Sequence, residues 1–222
     1  IYHLENNAND TMGSYNGSVS GATYTSSGYV GGCYSFDGSN DYISIGDIDL
    51  SANFTISIFA SSDNPTVGSN KELIGKSASN AGTPNYLIRT NSSNKFLLEC
   101  WDGSNWNKVT SSSSVPSGVF FIVGTRTTNT GQLYLNGSAN GSSAQFIPVN
   151  NNNSASIGRA GAYNGNYWDG LIDEVWIFTD AKSADWIASV YNNVQNYSTF
   201  VTIDGAVSIG SSPIQVYPVW PA

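Results

Sequence analysis

Charge is scarce in this 222-residue chain: Asp, Glu, Lys and Arg together make up 11% of it. What charge there is leans acidic, with a formal net charge of −8. That excludes a nucleic-acid partner, which needs a basic stripe to displace counterions, and it disfavours anionic membrane surfaces. No apolar run approaches the roughly 20 residues of a membrane span, so membrane insertion is not expected. Histidine occurs once, as His3, which gives no basis for a Ser-His-Asp triad or a histidine metal centre. Glutamate is equally sparse: Glu5, Glu72, Glu99 and Glu174. Glycoside cleavage needs two carboxylates about 5 Å apart, or further for inversion. On a strand, residues i and i+2 would supply them from one face. None of the four stands two residues from another carboxylate, and adjacent Asp173 and Glu174 are expected to point to opposite faces. A catalytic role is therefore not expected.

Cysteine occurs only at positions 33 and 100, both in strand-like runs. A disulfide between Cys33 and Cys100 would suit an oxidising compartment; two buried free thiols are the other reading. The chain begins at Ile1 and shows no signal-peptide pattern, as expected of a processed product or a piece of a longer polypeptide.

Against these absences stand 40% apolar and 13% aromatic residues, enough to build a core. Asn, Ser, Thr and Gly fill the rest, a composition of many turns and short strands. Phe54, Ile56 and Ile58 alternate with polar residues before Phe59 breaks the period. Residues 119–125 read as a strand buried on both faces, and 170–178 as a long alternating strand. Residues 132–137, Gln-Leu-Tyr-Leu-Asn-Gly, read as a strand entering an Asn-Gly hairpin turn. One stretch has a helical period: Ile187, Val190, Tyr191 and Val194, with Ser183 as N-cap and Asp185 in the first turn. Beyond it, residues 200–209 read as a hairpin around Asp204-Gly205. Residues 210–222 form an apolar tail whose three prolines forbid a central strand.

Several segments resemble one family in its own order. Residues 33–45, Cys-Tyr-Ser-Phe-Asp-Gly-Ser-Asn-Asp-Tyr-Ile-Ser-Ile, are similar to the SFDG-x-x-DYV signature of laminin-G-like jelly-roll domains, of the concanavalin A-like lectin/glucanase superfamily. Residues 54–59 resemble that family's next strand, 132–137 its LYVNG hairpin, 169–178 its G-x-IDEVRIY strand and 183–193 the helix that follows. Tyr2-His3-Leu4-Glu5 through Gly17 resembles its opening segment, where a His often packs. The resemblance implies an all-β, two-sheet antiparallel jelly-roll sandwich with one short C-terminal helix. It spans residues 1–196, leaving 197–222 as a C-terminal hairpin and Pro-rich extended tail. It also implies a structural calcium held by Glu5, Asp10, Asn16 and Asp173, an all-oxygen set suited to a hard cation. In the alternative reading, Asp10 caps a turn and Asp173 accepts backbone amides.

Binding residues are sought among exposed aromatics beside amides and carboxylates, because pyranose faces stack on rings while hydroxyls need polar partners. Trp101, Asp102, Asn105 and Trp106 combine these in one expected hairpin loop, and Tyr163 and Tyr167 in a second. Trp168 and Trp176 are expected in the core. Arg126 and Arg159 would suit an acidic sugar or serve as ordinary ion-pair partners. The leading expectation is a non-catalytic, secreted or surface-displayed adhesion module that binds a glycan or glycoprotein surface. A structural subunit of a virion, phage fibre or surface filament, self-assembling through residues 210–222, is the alternative. A divergent glycosidase dependent on Glu99 or Asp102 ranks last.

Overall fold

In the computed structural model, residues 1–64, 68, 70–77 and 83–195 are described. The hairpin and tail read over 197–222, and with them the assembly segment 210–222, lie outside the described residues. The described chain forms β1 (Ser18–Ser20), β2 (Thr23–Thr25), β3 (Cys33–Asp37), β4 (Tyr42–Gly46), β5 (Phe54–Ser62), β6 (Glu72–Lys76), β7 (Tyr86–Thr90) and β8 (Lys95–Trp101). There follow β9 (Trp106–Ser114), β10 (Gly118–Thr127), β11 (Thr130–Leu135), β12 (Ser138–Ala139), β13 (Ala144–Gln145), β14 (Ala155–Ile157), β15 (Asp169–Phe178) and α1 (Ala184–Gln195). They make two antiparallel sheets, as the resemblance implies. One runs β1-β4-β14-β6-β7-β8-β9 and the other β12-β11-β10-β5-β15-β3-β2.

The sheets close on each other through their alternating apolar residues. Ile43, Ile45, Ile88, Phe96, Leu98 and Val109 from the seven-stranded sheet meet Phe36, Ile56, Ile58, Phe120, Ile122 and Ile172 from the other. Trp168 lies wholly inside this core, edge-on to Phe120 at 6.1 Å, its indole N–H donating to the Ser61 carbonyl.

A second apolar layer explains why β5 and β10 lack polar alternation. Phe59, Phe121, Val123 and Trp176 project from the opposite face of the eight-stranded sheet, where Ile187 and Val190 of α1 cover them. Phe59 breaks the alternation because its face is covered too. The helix starts where expected: the Trp186 N–H donates to Ser183 Oγ at 3.1 Å. Asn136 and Gly137 take φ values of 51° and 80°, the positive pair of a two-residue hairpin turn between β11 and β12. A Cβ at Gly137 would also stand 3.1 Å from Tyr191 Cβ and 3.3 Å from the Ala188 backbone, so the helix crowds a position where the turn already favours glycine.

Strand β15 departs from the sequence reading at one point. Asp173 pairs with Phe59 and Trp176 with Ser57, so β15 carries one extra residue, a bulge, with Glu174 at φ 45°. Ile172 and Val175 both enter the inner core. Asp173 and Glu174 therefore share the outer face of the sheet instead of splitting between faces. Cys33 and Cys100 are buried and unbonded. Burial pushes their thiols up, to about 11 and about 12 respectively.

Candidate functional site

The strand order places both aromatic loops on the seven-stranded sheet. Along β9, Asn107, Val109 and Ser111 turn inward, so Trp106, Lys108 and Thr110 line the outer face. Trp101 pairs directly with Trp106 at the mouth of the β8–β9 hairpin, ring centroids 6.0 Å apart in an edge-to-face contact. Both indoles are half-buried. Asp102 closes this turn: Oδ1 accepts the amides of Ser104 (2.9 Å) and Asn105 (2.6 Å), and Oδ2 the Asn107 amide (3.0 Å). The Asn105 backbone amide first, then that of Ser104, holds its carboxyl below the usual range. Asp102 thus shapes the loop, while Asn105 is exposed at its tip. Asp102, Asn105, Trp106, Lys108, Ala144 and Gln145 line an open, shallow cleft.

Beside the tryptophans runs a row of charge that sequence reading missed. Glu99 on β8 is fully buried; Arg89 Nε binds its Oε2, and Lys108 Nζ stands 3.6 Å from its Oε1. Arg89 pairs across the sheet with Glu72 on β6. Glu72 accepts the Asn166 side-chain amide at 3.0 Å and leaves its other oxygen without a partner. Burial pushes its carboxyl up to about 8. Gly75 makes room for it, since a Cβ there would meet Glu72 Oε2 at 3.1 Å and Leu87 Cδ2 at 2.5 Å. The residues come from four strands, so no spacing along the chain announces them. Lys108, two residues after Trp106, was the one legible signal.

The second loop sits over the β6 side of the same face, anchored by the Asn166 carbonyl on the Glu72 amide at 2.9 Å. Tyr163 is half-buried there. Tyr167 is buried with its hydroxyl bonded to Asn164, which makes it support for the loop. Arg159 lies 3.4 Å over the ring of Tyr42. Arg126 belongs elsewhere: it is buried, donating to the carbonyls of Phe146, Ser51 and Ala52 and to Asn129.

The four residues of the implied calcium set fall in two places. Asp10 binds the N-terminal ammonium at 2.9 Å, and its amide donates to Asn16 Oδ1 at 3.1 Å. Burial opposes the Asp10 charge, but the ammonium holds its carboxyl below the usual range. Asp173 and Glu5 instead gather the 28–32 loop. Asp173 Oδ2 accepts the amides of Tyr29 and Val30, both at 2.8 Å, and Glu5 Oε2 that of Gly32 at 2.9 Å. Asp173 Oδ1 is buried without a partner, and burial pushes this carboxyl up to about 7. Among the described residues, no three His, Cys, Asp or Glu side chains converge to hold a metal ion. His3 Nδ1 lies 2.8 Å from Glu174 Oε2, a hydrogen bond that raises its pKa.

Residues 37–188 match the model of the concanavalin A-like lectin/glucanases superfamily. The chain belongs to that family. Among solved structures it is similar to domain 4 of AbnA, a GH43 extracellular arabinanase from Geobacillus stearothermophilus, solved with arabinotriose. The TM-score is 0.70 at 16% identity, covering 86% of this chain and 96% of that one. It is also similar to the binding domain of Paraclostridial Mosquitocidal Protein 1 (TM-score 0.67, 15% identity, 85% and 50% covered). A third likeness is to Trypanosoma rangeli sialidase, of whose chain it spans 33% (TM-score 0.68, 12% identity, 90% of this chain covered). At such identities the likeness is one of fold. A comparison with curated protein sequences finds no match. Among the described residues, no helix is long and apolar enough to cross a membrane.

Proposed function

We propose that this chain is a non-catalytic, extracellular or surface-displayed binding module that takes a glycan on the outer face of its seven-stranded sheet. The observation that carries the reading is half-exposed Trp106, edge-to-face with Trp101 and set beside Asn105 and Gln145 in an open cleft. An indole face offers stacking to sugar C–H groups, and amides offer hydrogen bonds to hydroxyls. The arabinotriose complex of the arabinanase domain supports the reading by likeness of fold. A non-catalytic role is supported by the carboxylates themselves: Glu99 and Glu72 are sealed from solvent, and Asp102 is engaged within its own turn. The test is a glycan array probed with the intact chain and with Trp106→Ala. Binding to a defined glycan set that the variant loses by about tenfold or more supports it. Equal binding by a folded variant removes Trp106 from the site.

The calcium implied by the family fits this chain in part. Glu5 and Asp173 are hard oxygen donors that both accept amides of the 28–32 loop, and Asp173 keeps a buried oxygen without a partner. These two residues would hold the ion, with backbone carbonyls and water completing its shell. Bound there, calcium would supply the positive charge that buried Asp173 lacks.

A further inference from the structure

We infer that Trp106 and Lys108 form a subsite for an acidic sugar, so that the glycan this face takes carries a carboxylate. The inference rests on the glycan-binding reading and names its ligand class. The first observation is how charge is distributed. The chain has 8 Lys and Arg residues against 16 Asp and Glu. Four of those cations, Arg89, Lys95, Lys108 and Arg159, lie on the outer face of the seven-stranded sheet. Among the described residues, the carboxylates beside these cations are Glu72, Glu99 and Asp102, and burial keeps Glu72 protonated around neutral pH. A strongly acidic protein thus keeps one face of weakly positive charge, and that face bears the tryptophans. The remaining cations are occupied elsewhere. Lys76 is buried between Asp47 and Asp49, Lys71 reaches the Gly38 carbonyl, Lys182 meets Asp180, and Arg126 serves backbone carbonyls.

The second observation is local. Trp106 and Lys108 are i and i+2 on β9, which puts them on one face about 7 Å apart along the strand. A pyranose on the indole would hold a ring carboxylate within reach of the ammonium. Lys108 can answer it: its side chain is 54% exposed, and its 3.6 Å approach to Glu99 Oε1 is longer than a hydrogen bond, while Arg89 holds the other oxygen of Glu99. Asp102, the other carboxylate lining the cleft, is turned into its own loop by three N–H donors. A neutral sugar could accept only a hydrogen bond from Lys108 at a hydroxyl, whereas an acidic one gains an ion pair as well at the edge of an aromatic platform.

The experiment titrates the intact chain, by calorimetry or ligand-observed NMR, with matched probes: 3′-sialyllactose against lactose, and trigalacturonate against galactotriose. For at least one pair the acidic member is expected to bind more tightly. Lys108→Gln should remove that preference, weakening the acidic member by about tenfold more than the neutral one. Trp106→Ala should weaken both members, and the preference should shrink as salt shortens the Debye length. Equal affinities within each pair, or a preference that survives Lys108→Gln, overturn the inference while the glycan reading stands. If the intact chain binds none of these probes and nothing on a glycan array, both fall together.

Discussion

At the scale of the residue, Asp173 is the group whose environment most opposes its charge on the eight-stranded sheet. Its carboxyl is buried beside Glu174, and the amides of Val30 and Tyr29 relieve only part of the cost. An acid whose pKa rises on folding binds its proton more tightly when folded. Stability therefore falls as pH rises from about 4, the unfolded value, to about 7, and levels off above that. Asp173→Asn keeps an oxygen for both amides but cannot ionise. In chelator at pH 8 it is expected to be more stable than the parent by some 2–4 kcal/mol, with little difference at pH 4. Thermal unfolding at the two pH values measures this. In calcium the order should invert, the parent gaining stability and the variant not; if calcium moves neither, Asp173 holds no ion.

At the scale of the element, α1 joins sequence periodicity to tertiary need. Its cap, its first-turn Asp185 and its apolar stripe are local features, but the surface it covers is not. Phe59, Phe121, Val123 and Trp176 arrive from three strands. Removing the Ser183 hydroxyl should cost about 1 kcal/mol, that of a lost N-cap. Ile187→Ala should cost about 2–4 kcal/mol, because Ile187 is fully buried against that layer. Urea titration of the two variants checks the ordering. A loss for Ile187→Ala no larger than for the cap would mean that the helix does not seal the sheet.

At the scale of the whole molecule, two free thiols lie on different sheets within one sandwich, Cys33 on β3 and Cys100 on β8. Both are fully buried and held protonated. Neither should react with a thiol reagent in the native state, and both should react in denaturant, in a single step as the sandwich opens. Mass spectrometry after alkylation counts them. A native chain that refuses alkylation even in denaturant without reductant would instead carry a bridge.

Sequence alone determined the fold class and the elements that carry local signals, in their order. The SFDG and IDEV segments, the Asn136-Gly137 turn and the Ser183 cap are local patterns, and each places a strand, a turn or a helix end by backbone preference or alternation alone. The two aromatic loops were legible for the same reason, since hairpin loops announce themselves by composition. The contents of the binding face were decided only in three dimensions. The Glu72–Arg89–Glu99–Lys108 row joins four strands that are neighbours only by sheet order. Arg126 was withdrawn from the surface by carbonyls as remote in the chain as Ser51 and Ala52, and Tyr167 was buried with its hydroxyl turned to Asn164 in its own loop. The bulge at Glu174 inverted an expectation drawn from strict alternation. Side-chain direction follows the local period until tertiary pairing inserts a residue, and burial is a property of what folds over a site, which no local pattern contains.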